Sequence, residues 1–362
     1  MILNVRYAKI LSMKKMGKFI LLTIFTVSTI LSLSSCGKRE TIYYNAAFTY
    51  LENNQPEEAV ENFINSIELE GEYKDTLRGL GIAYISIGQY QEAEDAFIRA
   101  LNKSHGSIHS IDYDINDYLG YAYEMNKEYD KAIEIYSALI TLHPKDTDAY
   151  YRRAICYLKN GEMSSADADF NVVTSRDQNN YDLHIRIYFS MKEAGFSTEA
   201  AAYLNAILMD EKRKISDFDR GRICYYLEDY SNARVYLEKA KDFSNPETIL
   251  MLGKTYEAIS DFSYAATLYS SYLDAKGNNA AVYNQLGVCR WKLGDYEGAL
   301  SAFSFGLKLE DPEWKRELLF NQAVTYEYSL DFETAKERMA EYLKLYPKDE
   351  VAIHEALFLQ TR

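Results

Sequence analysis

One short pattern of residues returns about every 34 positions through most of the chain, and a period of that length leaves few folds open. A small residue followed four positions later by an aromatic or aliphatic one stands at Ala59/Phe63, Ala93/Phe97, Ala132/Tyr136, Ala166/Phe170, Ala200/Leu204, Ala233/Leu237, Ala265/Tyr269, Ala299/Phe303 and Ala335/Met339. Successive pairs lie 34, 39, 34, 34, 33, 32, 34 and 36 residues apart. A unit this short cannot enclose a core, so it buries its apolar side against neighbouring units, as in a solenoid. Each unit holds two stretches of helical apolar spacing, one like Leu80/Gly81/Tyr84 and one like Ala93/Phe97/Ala100. A short polar break such as Gly88-Gln89, Lys127-Glu128 or Gly294-Asp295 parts them, so each unit reads as a helical hairpin.

The residue types have physical reasons. Gly81, Gly120, Gly221, Gly253 and Gly287, with Ala47, Ala154 and Ala323, fall where the first helix must let the second approach. The aromatic at Phe97, Tyr136, Phe170, Tyr269 or Phe303 then fills the wedge toward the next hairpin. Pro56 opens a second helix, while Pro144, Pro246, Pro312 and Pro347 fall between hairpins, where a missing N–H costs least. With only 5 Pro and 17 Gly beside 33 Tyr and 16 Phe, composition agrees with an all-α chain.

Leu80-Gly81, Tyr84, Gly88/Tyr90, Ala93, Phe97 and Ala100 together resemble the signature of the tetratricopeptide repeat family. The same grammar recurs at Leu119-Gly120/Tyr123/Tyr129/Ala132/Tyr136/Pro144 and at Leu286-Gly287/Gly294/Tyr296/Ala299/Phe303. The resemblance implies an α-solenoid of about nine hairpins over residues 37–347, closed by a capping helix within 348–362. His184, Tyr188 and Met191 in the fifth unit, and Asp217, Arg220 and Cys224 in the sixth, depart from the pattern and mark a weak joint.

Residues 1–36 stand apart. Lys14, Lys15 and Lys18 precede an uncharged run over 19–33 that is shorter than a bilayer-spanning helix needs and fits an export signal. Leu33-Ser34-Ser35-Cys36 resembles the lipobox of bacterial lipoproteins, which implies acylation of Cys36 and cleavage before it. Met13 or Met16 would serve equally well as the start of that signal. The expected location is the cell membrane, lipid-anchored and facing outside the cytoplasm. Residues 1–36 carry five basic and no acidic residues, so the mature part keeps 35 basic and 54 acidic side chains, a net −19. Such a surface repels nucleic acid. Cys156, Cys224 and Cys289, 68 and 65 residues apart, read as buried thiols rather than a disulfide framework.

No motif carries catalysis, and neither a cofactor nor a metal is expected. Gly253-Lys254-Thr255 imitates the end of a phosphate loop, but Thr248 stands where its first glycine belongs. His354-Glu355 opens like a zincin helix, yet Phe358 replaces the second histidine. Of the histidines at 105, 109, 143, 184 and 354, only His105 and His109 lie close, in a polar insertion with Asp112 and Asp114 nearby. What remains is a surface. A second stripe along the first helices comprises Tyr44, Phe48, Arg78, Tyr121, Tyr151, Phe189, Phe218, Arg222, Tyr225, Lys254, Asn284, Trp291 and Phe320. In the family this stripe lines a concave groove for extended or helical peptides, so a protein or peptide partner is implied. The position of the asparagine that clamps a partner's C-terminal carboxylate in some members holds Phe48, Ile82, Tyr121, Ile155, Phe189, Arg222, Lys254, Val288 and Val324. Alternative readings are a substrate- or glycan-binding lipoprotein and an envelope-assembly lipoprotein of the barrel-assembly or pilus-biogenesis type.

Overall fold

The computed structural model describes residues 42–362 apart from 72 and 105–108. Cys36 and the lipobox, like His105, therefore lie outside the described residues. The described chain forms 19 α-helices and no strand. They run α1 (Ile42–Glu52), α2 (Pro56–Glu70), α3 (Lys74–Ser86), α4 (Tyr90–Leu101), α5 (Ser110–Met125), α6 (Tyr129–Leu142), α7 (Thr147–Lys159), α8 (Met163–Ser175), α9 (Tyr181–Glu193) and α10 (Ser197–Met209). They continue as α11 (Asp217–Tyr226), α12 (Tyr230–Lys239), α13 (Pro246–Ala258), α14 (Phe262–Lys276), α15 (Ala280–Lys292), α16 (Tyr296–Leu307), α17 (Lys315–Tyr328), α18 (Phe332–Leu345) and α19 (Glu350–Leu359). Odd and even helices pair as the first (A) and second (B) helices of nine hairpins, with α19 left over. The fold is an α-solenoid.

The hairpin turn repeats almost atom for atom. The A helix ends at a residue in the left-handed region: Asn54, Gly88, Lys127, Gly161, Gly195, Glu228, Ser260, Gly294 or Leu330. The N–H of the next residue returns to the carbonyl five positions back, as in Gln89 to Tyr84 (2.9 Å), Glu128 to Tyr123 (2.8 Å) and Asp295 to Arg290 (2.9 Å). These bonds satisfy carbonyls that the helix end leaves open. The residue that closes the A helix is also the N-cap of the B helix. At Asp229, Asp261, Asp295 and Asp331 the carboxylate accepts the N–H three positions on. At Gln55, Gln89, Glu128 and Glu162 the longer side chain makes no such bond. Because one residue does both jobs, the turn has no slack. In eight of the nine hairpins a small close-approach residue precedes the B-helix alanine by 12 positions, from Ala47/Ala59 through Gly81/Ala93 to Ala323/Ala335, and in the fifth Tyr188 holds that position before Ala200.

Close approach is what the small residues provide. A Cβ at Gly120 would stand 2.8 Å from Tyr136 Cζ, and one at Gly221 2.5 Å from Leu237 Cγ. At Gly81 and Gly253 it would overlap the rings of Phe97 and Tyr269. Those rings fill the hairpin interiors completely: Phe63, Phe97, Tyr136, Phe170, Tyr269, Phe303 and Tyr342 are all buried. Pro56 and Pro246 each occupy the first turn of a helix, so Pro246 opens α13 rather than only separating hairpins. Truncating one of these rings to alanine costs about 3–5 kcal/mol.

The chain divides into two compact units at Tyr203/Leu204, inside α10 and next to the off-pattern residues of the fifth hairpin. In the first unit, the apolar cluster around Phe97, Ile115, Tyr136 and Cys156 spans α3 to α7. Its 39-residue spacing is absorbed between α4 and α5, where the Asp112 carboxylate accepts from Lys74 Nζ (2.6 Å), Ser104 Oγ (2.5 Å) and the His109 N–H (2.9 Å). His184 is buried, within hydrogen-bond distance of the Tyr203 hydroxyl (2.5 Å) and the Gln178 carbonyl (3.1 Å). In the second unit the main cluster gathers Ile249, Leu252, Tyr269, Val282 and Cys289. There α19 packs Ala352 and Leu359 against Phe320, Met339 and Tyr342. Asp349 caps α19 through the N–H groups of Val351 and Ala352, and its other oxygen takes Arg316 Nη2 (2.7 Å) and the Tyr342 hydroxyl (2.6 Å). This is the capping helix expected within 348–362.

Candidate functional site

The A-helix stripe is a run of ring and guanidinium contacts rather than a row of isolated side chains. In the first unit, Tyr44 and Phe48 lie 4.9 Å apart by ring centroid, and Phe48 meets Phe63 edge-on at 5.0 Å. Phe48 therefore seals its own hairpin. Arg78 on α3 is ion-paired to Asp114 on α5, with its guanidinium 5.8 Å from the Tyr118 ring. Arg152 on α7 lies 5.2 Å from the Tyr121 ring of α5 and 3.9 Å from the Asp117 carboxylate. Arg186 on α9 lies 4.7 Å from the Tyr151 ring of α7, whose hydroxyl stands 3.1 Å from Ser190 Oγ. Each rung links one A helix to the next, and such cation–π contacts are worth about 0.5–2 kcal/mol depending on desolvation. Burial, with Tyr90 and Glu124 nearby, pushes the Tyr121 hydroxyl up to about 12. Phe189 stands 5.2 Å from the Tyr188 ring.

In the second unit the stripe is more deeply set. Arg222 is buried between Asp219 (3.2 Å) and Glu247 (3.4 Å), with its guanidinium 5.0 Å from the Phe218 ring. Tyr225 packs edge-on to Tyr226 and Tyr230 at 5.5 and 5.6 Å. Asn284 is buried and accepts from Asn321 Nδ2 at 2.9 Å. Phe320 is buried with its ring 5.6 Å from Tyr342. Trp291 is half-buried, edge-on to Tyr328 at 4.8 Å, and its indole N–H is buried with no hydrogen-bond acceptor among the described residues. Burial draws the Lys254 amine down from its ordinary range, and burial raises the neighbouring Glu257 carboxyl, which accepts from the Tyr269 hydroxyl at 2.6 Å.

Arg152, Arg186 and Glu257 were absent from the stripe read in the sequence. The first two recur 34 residues apart, a signal the sequence does contain. Glu257 occupies the register of Tyr225 and Trp291, which the stripe did include.

The motif-like residues fall into structural roles. Gly253 faces the Tyr269 ring inside α13, and the Thr255 hydroxyl returns to the Met251 carbonyl at 2.9 Å. Cys156, Cys224 and Cys289 are free and buried, and burial raises all three thiols, Cys224 to about 11. Among the described residues no group of three or more His, Cys, Asp or Glu is placed to hold a metal ion. No helix among them is long and apolar enough to cross a membrane.

Comparison with known proteins follows the same hairpins. Patterns described as tetratricopeptide repeat match residues 44–107, 125–184, 250–304 and 317–349, together more than half of the chain. Among characterised proteins the chain is similar to the BBSome complex member BBS4 of Bos taurus. The two are 21% identical over 255 residues, 70% of this chain and 48% of that one. It is also similar to anaphase-promoting complex subunit 3 of Schizosaccharomyces pombe, 27% identical over 143 residues, 38% of this chain and 21% of that one. The chain thus spans less than half the length of these relatives. Among solved structures it is similar to a tetratricopeptide repeat protein from Parabacteroides merdae (TM-score 0.45, 14% identity, 81% of this chain and 100% of that one). It is also similar to YrrB, described as a TPR protein with an unusual peptide-binding site (TM-score 0.38, 21% identity, 48% of this chain and 86% of that one).

Proposed function

We propose, on the premise that this chain belongs to the tetratricopeptide repeat family, that it is a non-enzymatic scaffold whose A-helix face binds a protein or peptide partner. One observation carries the reading: tyrosine, tryptophan and arginine side chains recur along that face, half-buried and held by one another. These residue types dominate binding hot spots, because a ring already fixed in place loses little freedom when a partner covers it. Arg78 and Arg152, paired with Asp114 and Asp117, set charged groups among the rings of that face.

The lipobox-like Leu33-Ser34-Ser35-Cys36 supports a tether at the outer side of the cytoplasmic membrane, so the scaffold would gather its partner at a surface. Two experiments test the two halves separately. Crosslinking of the intact chain in its own cells, followed by binding with the purified partner, should show Tyr151→Ala and Trp291→Ala each weakening the complex by about 2 kcal/mol. Full affinity in both variants removes the A-helix face from the reading. Incorporation of labelled palmitate should be lost in Cys36→Ser, and persistence of label in that variant removes the tether.

A further inference from the structure

The B-helix side of the first unit carries a feature unrelated to the A-helix stripe. A cavity of about 490 Å³ opens between α2 and α4, with α3 as its base. Ile64, Ile67, Leu80 and Ala96 make it apolar, while Glu68, Glu92 and Asp95 stand around it with Arg99. A small residue forms part of its lining. Ala96 stands three residues after the B-helix alanine Ala93, a register that holds larger apolar residues at Ile135, Tyr236 and Leu268, polar ones at Asn62, Asp169 and Arg338, and a second alanine at Ala302. In the next hairpin Ile135 packs onto the core. Ala96 is buried against Phe63, Leu80 and Ala83 and contributes only a methyl group to the lining of the cavity.

The charge around the cavity is one-sided. Arg99 is ion-paired to Asp95 at 3.1 Å. Neither Glu68 nor Glu92 has a hydrogen bond or ion pair among the described residues. Two uncompensated carboxylates thus flank an apolar hollow, on a chain whose mature part is already net negative. Apolar groups buried in such a hollow gain from leaving water, and cationic groups beside it gain from carboxylates that no internal cation occupies.

We propose that this cavity is a docking site, separate from the A-helix face, for a partner peptide that inserts an apolar side chain flanked by lysine or arginine. The volume lies within the usual range of ligand sites. The carboxylates reject an acidic peptide of the same shape, so the site selects by charge around a common apolar anchor.

The test uses the mature chain with methyl-labelled isoleucine and leucine, and two capped probes, acetyl-Lys-Leu-Leu-Lys-amide and acetyl-Glu-Leu-Leu-Glu-amide. The lysine probe should shift the Ile64, Ile67 and Leu80 methyl resonances saturably, with affinity at least about tenfold above that of the glutamate probe. Raising ionic strength from about 0.02 to 0.3 M should weaken it several-fold as the Debye length shrinks. Ala96→Ile, which installs the next hairpin's residue, should abolish the shifts. Glu68→Gln with Glu92→Gln keeps the cavity and should weaken the lysine probe several-fold, which maintains the test if Ala96→Ile disturbs the packing. The proposal fails if the methyls show no saturable shift at millimolar probe. It fails also if both probes bind alike, or if the carboxamide pair binds the lysine probe as tightly as the parent chain.

Discussion

At Gly287 the absence of one carbon sets how near two helices come. A Cβ there would stand 2.6 Å from Phe303 Cζ, and the ring has no room to retreat because Phe303 is itself buried. Gly287→Ala should therefore cost about 1–3 kcal/mol in a denaturant titration. The eighth hairpin can be rebuilt on the pattern of the ninth, where Ala323 and Met339 hold the two positions. Adding Phe303→Met to Gly287→Ala should recover part of the loss, and a double-mutant cycle measures how much. Equal stability of Gly287→Ala and the parent would contradict the close-approach account. Asp112 gives a second test. Burial alone would raise its carboxyl, but the hydrogen bonds from Lys74, Ser104 and the His109 N–H outweigh burial and hold it down at about 2, against 3.8 ordinarily. A depressed carboxyl stabilises fully above its unfolded value, and the contribution is lost as pH falls through about 4 to 2. Asp112→Asn should remove that part of the acid transition, read by circular dichroism at 222 nm. The small residues and buried rings were legible in the sequence because their identities repeat. The partners of Arg152 and Arg186 were not, since cation–π and ion-pair contacts between A helices depend on side-chain direction, which spacing alone leaves undetermined.

The hairpin turn is the element where local rules are most nearly obeyed, and its exceptions are the places to improve it. Leu330 is 74% exposed and lies at φ 67°, a conformation that costs a residue with a Cβ about 1–2 kcal/mol. Leu330→Gly should therefore stabilise the ninth hairpin by up to about 1 kcal/mol after the unfolded chain's added freedom is subtracted. Asp295 accepts the Gly298 N–H at 2.9 Å, so Asp295→Ala should cost about 0.5–2 kcal/mol. Thermal melts of the two variants should move in opposite directions, and movement in the same direction would contradict this account of the turn. The break positions Gly88-Gln89, Lys127-Glu128 and Gly294-Asp295 were visible in the sequence as polar interruptions. The left-handed turns at Lys127, Glu228 and Leu330 were less legible, because glycine, which would have announced that conformation, is missing there.

At the scale of the molecule, each hairpin leans on its neighbours. In the second unit, Phe303 and Leu318 share a cluster with Val288 and Trp291, so residues 280–309 contain only part of the surface that buries them. A peptide of residues 280–309 should show little helix at 25 °C, whereas the whole chain should be strongly helical. A stable, cooperatively melting helical signal from that peptide would contradict nearest-neighbour stabilisation. The nine-unit count and the closing helix were readable from period and amphipathic pattern. The division at Tyr203/Leu204 left a fainter trace, in the off-pattern His184, Tyr188 and Met191, because a compact unit is defined by packing between hairpins rather than by residues within one.

The 12-residue interval from close-approach residue to B-helix alanine, kept in eight of the nine hairpins, dictates where extra sequence is tolerable. A residue that ends one helix and begins the next cannot be moved without unmaking both, so a reporter peptide spliced at Gly294-Asp295 should wreck the eighth hairpin. The same graft inserted after Ser104, where the 39-residue spacing already lengthens the linker, keeps Ser104 and His109 for Asp112 and should leave both adjoining hairpins undamaged.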